Sequence, residues 1–134
     1  MKILFVCYGN AHRSPLAEAL LKKLRPDLEV ESAGVSRAIP ISDEVREFLE
    51  KESADQYLKR TPENLDTKRL EEYDLIVAMQ QMHKTAILVR CPECESRIVV
   101  WNIEDPYFMG HDEAEKVYMQ IETKVKALAN LLTR

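Results

Sequence analysis

The stretch VCYGNAHRSP, residues 6–15, ends an apolar run on Cys7 and follows it at once with Gly9, Asn10, Arg13 and Ser14. These residue types can build an anion site with a nucleophile at its floor. A loop leading from a buried strand into a helix N-terminus turns its backbone N–H groups inward, and the helix dipole adds positive potential. Gly9 and Asn10 are types that tolerate the positive φ values a tight cradle needs. Arg13 offers a planar fork of donors to two oxygens of a phosphate. Cys7 is expected at the bottom, aimed at the centre.

The group must act together. A free thiol has a pKa near 8.5 and is only a few per cent ionised at pH 7. Lowering a thiol to about 5 takes roughly 5 kcal/mol. A helix terminus alone supplies about 0.3–2 kcal/mol. The converging N–H groups, the Arg13 charge and a hydroxyl bond from Ser14 must supply the rest. A cysteine closing a buried strand is otherwise a small core residue; Arg13 and Ser14 at this spacing favour the chemical reading.

The elements that position these groups follow from periodicity. KILFVC (2–7) is a continuous apolar run, suited to a central parallel strand buried on both faces. Ser14-Pro15 predicts a helix start, with the hydroxyl as cap, and the helix runs through LAEALLKKL to Pro26. LEVESA (28–33) alternates as a second strand closed by Gly34. Ser42 caps a helix through DEVREFLEK. Residues 52–66 are polar and carry little signal. TKRLEEY predicts a short helix, DLIVAM (74–79) a strand, QQMHKTAILV a helix, CPEC a turn, RIVVW (97–101) a strand and NIEDPYFMG a loop. An amphipathic helix is expected from Asp112 to the end. The order β-α-β-α-(α)-β-α-β-α predicts an α/β fold: one domain over 1–134, with a central four-stranded parallel sheet and helices on both faces. Loops 8–13 and 102–110 should meet beyond the carboxyl ends of the strands.

The 134 residues are 46% hydrophobic and 31% charged, as expected for a soluble globular chain. A net charge of −4 argues against nucleic acid as the main partner, but leaves room for a local cationic site. No apolar run approaches the roughly 18 residues of a membrane span, and MKILFVC is too short for a signal peptide. A cytoplasmic monomer is expected. Three cysteines, an odd number, fit a reducing compartment.

VCYGNAHRSP resembles the signature of low-molecular-weight protein tyrosine phosphatases, whose phosphate loop reads C-x5-R-S with Gly and Asn inside. SAG, YDLIVAM and a late DPY occur in the family's order, so the likeness covers essentially the whole chain. It implies that Cys7 attacks phosphorus to form a phosphocysteine, that Arg13 and the loop N–H groups hold the phosphoryl oxygens, and that Asp105 serves as general acid and then base. It further implies that Tyr8, Gly9, Asn10, Ala11, His12, Arg13 and Ser14 surround the phosphate. Asn10 would keep the loop's shape and Ser14 would stabilise the sulfur. Pro106 would fix the acid's loop, and Tyr107 and Phe108 would line the mouth. The implied substrate is a phosphorylated protein or a small aryl phosphate. No metal or other cofactor is needed, because Arg13 and the backbone supply the positive potential.

The chain departs from the pattern in places. His12 stands where many members carry a second loop cysteine; it is either a tolerated surface residue or an added charge when protonated. Ala11 suits an aryl phosphate, whereas relatives acting on phosphoarginine tend to have a hydroxyl residue there. The family's usual GI-containing segment is missing from 52–66. Cys91 and Cys94 of CPEC lie outside the signature and read as an inert turn or local disulfide, a redox pair, or a zinc half-site completed by His12, His83 or His111. His83 and His111 otherwise read as solvated or locally bonded, and Trp101 as core. Two other functions stay open: an arsenate reductase using Cys7 with Cys91 and Cys94 as relay, and a non-catalytic phosphate- or zinc-binding adaptor.

Overall fold

The apolar run of residues 2–7 forms strand β1 (Lys2–Cys7), inside the sheet as its unbroken hydrophobicity requires. Strands β2 (Glu29–Gly34), β3 (Leu75–Ala78) and β4 (Ile98–Val100) complete one sheet of order β2-β1-β3-β4, every neighbouring pair parallel. The computed structural model describes residues 1–36 and 39–132. Helices α1 (Arg13–Leu24), α2 (Asp43–Lys51), α3 (Gln81–Arg90) and α4 (His111–Leu131) connect and flank the strands.

Alternation along β1 divides the core. Ile3, Phe5 and Cys7 face a cluster built with Leu16 and Leu20 of α1, Phe48 of α2, and Val117 and Ile121 of α4. Leu4 and Val6 face the opposite cluster with Ile87 of α3, Ile98, Tyr73, Cys91 and Cys94. Helices therefore cover both faces. Trp101 packs tilted on Phe5 at 5.5 Å, partly buried against the first cluster. Among the described residues no helix is long and apolar enough to cross a membrane.

Register brings the strand ends together. Cys7 pairs with Gly34, Val6 with Ala78, and Ala78 with Val100. The chain leaves β1 toward β2 and returns on the other side of β1 to β3, so the switch point lies between β1 and β3. Loops after all four strands emerge at this one edge.

Three local expectations are corrected. Helix α1 begins at Arg13, with His12 as N-cap and no side-chain cap bond. The Ser14 hydroxyl is taken instead by Cys7 and Asn10, and Pro15 sits in the first turn, where its missing N–H has no intrahelical partner to lose. TKRLEEY holds only a short 3-10 turn, Leu70–Glu72, because Lys68 and Arg69 are extended and Lys68 turns inward to Glu31 and Glu63. The last helix ends at Leu131 with Leu132 as its cap, and the two residues beyond lie outside the described range. Ser42 does cap α2, accepting from the Glu44 N–H at 3.2 Å.

Gly34 is required by close approach. A Cβ there would lie 2.7 Å from the Gly9 carbonyl carbon, 2.8 Å from the Asn10 nitrogen and 2.9 Å from the Tyr8 oxygen, all backbone. Gly34→Ala should therefore push the 8–10 loop outward, costing about 1–3 kcal/mol of stability, checked by thermal melting.

Candidate active site

Residues 8–12 form a loop whose carbonyls are held from behind. Val35 N–H donates to the Cys7 carbonyl at 3.0 Å, Ser36 to Tyr8 at 2.9 Å, Ile39 to Gly9 at 3.4 Å and Ser42 to Ala11 at 3.0 Å. With its carbonyls turned outward, the loop presents its N–H groups to its concave side, continued by the first turn of α1. Asn10 takes the left-handed φ of 56°, whereas Gly9 has no positive φ, so one strained residue makes the turn.

Asn10 is fully buried and uses all its hydrogen-bonding capacity. Its Nδ2 donates to Ser14 Oγ at 2.8 Å and Ser32 Oγ at 2.9 Å; its Oδ1 accepts from Lys59 Nζ and the Glu63 N–H, both at 2.8 Å. Ser14 Oγ lies 2.9 Å from Cys7 Sγ. Because Ser14 Oγ accepts from Asn10, its own proton is left for the sulfur. The side chains of Asn10 and Ser14 thus stand behind the cradle, bonded to one another and to the sulfur.

Arg13 is 2% exposed and steered from one side. Its Nη1 donates to Gln80 Oε1 and to the Ile103 carbonyl, each at 2.8 Å, which leaves the Nε–Nη2 edge for a ligand. Asp105 Oδ2 lies 3.5 Å from Arg13 Nη2, an ion pair longer than a hydrogen bond. Asp105 Oδ1 accepts from the Tyr107 N–H at 3.0 Å, so the carboxylate is aimed by its own turn.

One cavity of about 460 Å³ is lined by Cys7, Tyr8, Gly9, Ala11, His12, Arg13, Ile39, Asp105, Tyr107 and Phe108. Tyr107 meets His12 edge-on at 5.9 Å and Phe108 at 4.7 Å, and Phe108 is 94% exposed at the mouth. His12 lines the cavity and is not a bystander on the surface. Its pKa is drawn below 6.5, chiefly by burial, against the pull of Asp105; Arg13 adds to the fall and Glu44 opposes it. Burial thus favours the uncharged form of His12 more than in a free imidazole.

A family model described as Low molecular weight phosphotyrosine protein phosphatase matches residues 2–134. The chain belongs to this family. It is 33% identical over 139 residues to the low molecular weight protein-tyrosine-phosphatase Wzb of Salmonella typhi, covering 98% of this chain and 93% of that one. Wzb of Escherichia coli K12 is 32% identical over 146 residues, covering 97% and 94%. The solved Vibrio vulnificus Wzb in complex with benzylphosphonate superposes with a TM-score of 0.88 at 28% identity, covering 98% of each chain. The YwlE arginine phosphatase from Geobacillus stearothermophilus gives 0.86 at 28% identity, covering 96% and 90%.

Several residues that serve the site in this low molecular weight phosphatase escaped sequence reasoning. Lys59 comes from the polar stretch 52–66, Gln80 from the residue after DLIVAM, and Ile39 from the loop after β2. None carries a local pattern; Lys59 and Gln80 act through partners distant in sequence, and Ile39 lines the cavity itself. His83, expected to be either solvated or bonded locally, is fully buried and bonded locally. The Gln80 N–H donates to its Nδ1 at 3.0 Å, while the Gln80 side chain accepts from the His83 backbone, a reciprocal cap at the start of α3.

That cap predicts an acid-sensitive fold. Burial first, and Arg13 second, lower His83 to about 4, with Asp105 opposing. A proton on Nδ1 would also face the Gln80 N–H. Above pH 6.5 folded and unfolded chains both hold neutral His83. Between 6.5 and about 4 only the unfolded chain takes up the proton, so stability falls with pH by about 3 kcal/mol over that window. His83→Gln keeps the reciprocal cap and should flatten the slope, measured by urea unfolding at stepped pH.

Cys91 and Cys94 are joined by a disulfide and are 1% and 0% exposed. They close the C-terminal end of α3 in the cluster across the sheet from Cys7. Sulfurs bonded to each other do not form a zinc half-site, and the sheet separates them from Cys7. His111 is exposed on α4 beside Glu115.

Proposed function

We propose that this chain hydrolyses phosphotyrosine and related aryl phosphates through a covalent phosphocysteine on Cys7. The observation that carries the reading is the convergence of Cys7, Arg13 and Asp105 on one cavity, with the Ser14 hydroxyl 2.9 Å from the sulfur. The phosphoryl group sits on the loop N–H groups and the free edge of Arg13. Cys7 Sγ attacks phosphorus in line, the S–P bond forms and the P–O bond to the leaving group breaks. Asp105 gives its proton to the departing oxygen. Water then attacks phosphorus, Asp105 takes a proton from it, the S–P bond breaks and inorganic phosphate leaves. Ser14 stabilises the sulfur both before attack and on departure.

The walls support an aryl substrate. Tyr8 and the Tyr107–Phe108 pair offer ring faces and edges at the mouth. Ala11, 2% exposed, lines the cavity with a methyl group. It offers no acceptor to the N–H groups of a phosphorylated guanidinium, which disfavours the arginine substrate named for YwlE. The reductase alternative needs a second thiol within reach of Cys7, and Cys91–Cys94 lies across the sheet. Pure phosphate binding needs neither Cys7 nor Asp105.

Turnover of phosphotyrosine, phosphoserine, phosphoarginine and arsenate tests the proposal. Phosphotyrosine should lead by at least about tenfold in kcat/KM. A preference for phosphoarginine, or arsenate-dependent thiol consumption, would overturn it.

A further inference from the structure

The polar groups behind the loop form a chain of hydrogen bonds with a fixed direction, and a residue from the least patterned part of the sequence sets that direction. The Lys59 side chain is only 9% exposed. Its Nζ lies 2.8 Å from Asn10 Oδ1, 2.9 Å from the Ser32 carbonyl, 3.3 Å from Ser32 Oγ and 2.6 Å from Glu63 Oε2. We propose that Lys59 is a positioning residue for Cys7, fixing through Asn10 the direction of the hydrogen bond that ends on the sulfur. The inference deepens the reading of Cys7 as nucleophile and rests on it.

An ammonium can only donate. It therefore holds the oxygen of the Asn10 amide toward itself and turns the nitrogen toward Ser14 and Ser32. Ser32 accepts from that nitrogen and donates to the buried Glu18, which pairs with Lys22. Ser14 accepts on its other side and keeps its one proton for Cys7. Reversing the amide would set its nitrogen against two donors, Lys59 and the Glu63 N–H. Removing Lys59 leaves Glu63 N–H as the remaining donor that opposes reversal, so the loss is partial. Glu63 keeps Lys68 as an ion partner, at 3.1 Å, and is not stranded.

The test compares Lys59→Met and Lys59→Arg. Lys59→Met should lower kcat for p-nitrophenyl phosphate about tenfold with KM within about twofold. Without any substrate, the pH midpoint for alkylation of Cys7 by iodoacetamide should rise by about one unit. Arginine, which also only donates, should bring both values back toward those of the native protein. A role confined to folding would move the melting temperature alone. A folded Lys59→Met protein with native kcat and native alkylation midpoint overturns the proposal, as does a loss that arginine leaves unrepaired. If Lys59→Met does not fold, Lys59→Gln, one bond too short to hold Asn10, carries the same two outcomes. The alkylation arm needs no phosphoester, so a native protein inactive on phosphotyrosine would sink the proposed function and still leave the Lys59 proposal readable.

Discussion

Cys7→Ser should lose aryl phosphate hydrolysis by at least about 10⁴-fold while melting at the native temperature. Cys7 is 2% exposed, and among the described residues its sulfur has Ser14 as its side-chain hydrogen-bond partner. A serine hydroxyl there can still bond Ser14, so the fold is kept. It does not ionise at neutral pH, and the side chain bonded to it, the Ser14 hydroxyl, is not a base. His12, the neighbouring imidazole in the cavity, makes no cap bond to α1 and packs edge-on against Tyr107. The cradle itself is untouched, so inorganic phosphate should bind the variant about as tightly as the native protein. Turnover above about 1% of native would show that the sulfur is not the nucleophile. Loss of turnover together with loss of phosphate binding would point to a collapsed loop.

Asp105→Asn is expected to divide substrates by their leaving group. Phosphotyrosine departs as a phenolate that needs a proton, and its hydrolysis should fall by about 10²–10³. p-Nitrophenyl phosphate departs as a far weaker base and should suffer least in the first step. The substitution also removes a negative charge 3.5 Å from Arg13 Nη2, so KM should not rise and is expected to fall. The Tyr107 N–H keeps an acceptor, since Asn Oδ1 replaces the carboxylate oxygen that it meets at 3.0 Å. Steady-state kinetics on the two substrates, read as kcat and KM separately, decide the matter. Equal losses on both substrates in the phosphorylation step, read from single turnovers, would remove Asp105 from the proton's path.

Much of this arrangement was legible in the residues, for reasons that are local. The unbroken apolar run of Lys2–Cys7 admits few environments besides an inner strand. Strands alternating with amphipathic helices leave a parallel sheet as the natural solution, and the sheet dictates where Cys7 and Asp105 must meet. Ser42 reads as a cap and is one: its hydroxyl accepts from the Glu44 N–H, and its bond with the Tyr118 side chain leaves that cap in place. Ser14 reads the same way and is not a cap, because a buried sulfur and a buried amide both claim its oxygen. That competition is tertiary and leaves no mark on sequence spacing. The same holds for Lys59 and Gln80, which reach Asn10 and Arg13 across 49 and 67 residues. Gly34 stood out only as a strand end; its backbone contacts with residues 8–10 show that the loop after β1 and the end of β2 are one packed unit.

The most direct test of the central claim is to trap the covalent intermediate. Asp105→Asn slows the water step as well as the first, so the intermediate should accumulate during turnover of p-nitrophenyl phosphate. Rapid acid quenching followed by peptide mass mapping should find one phosphoryl group, carried by the sulfur of Cys7. Phosphate on His12 or Ser14, or full turnover with no phosphorylated peptide at any quench time, would contradict the account.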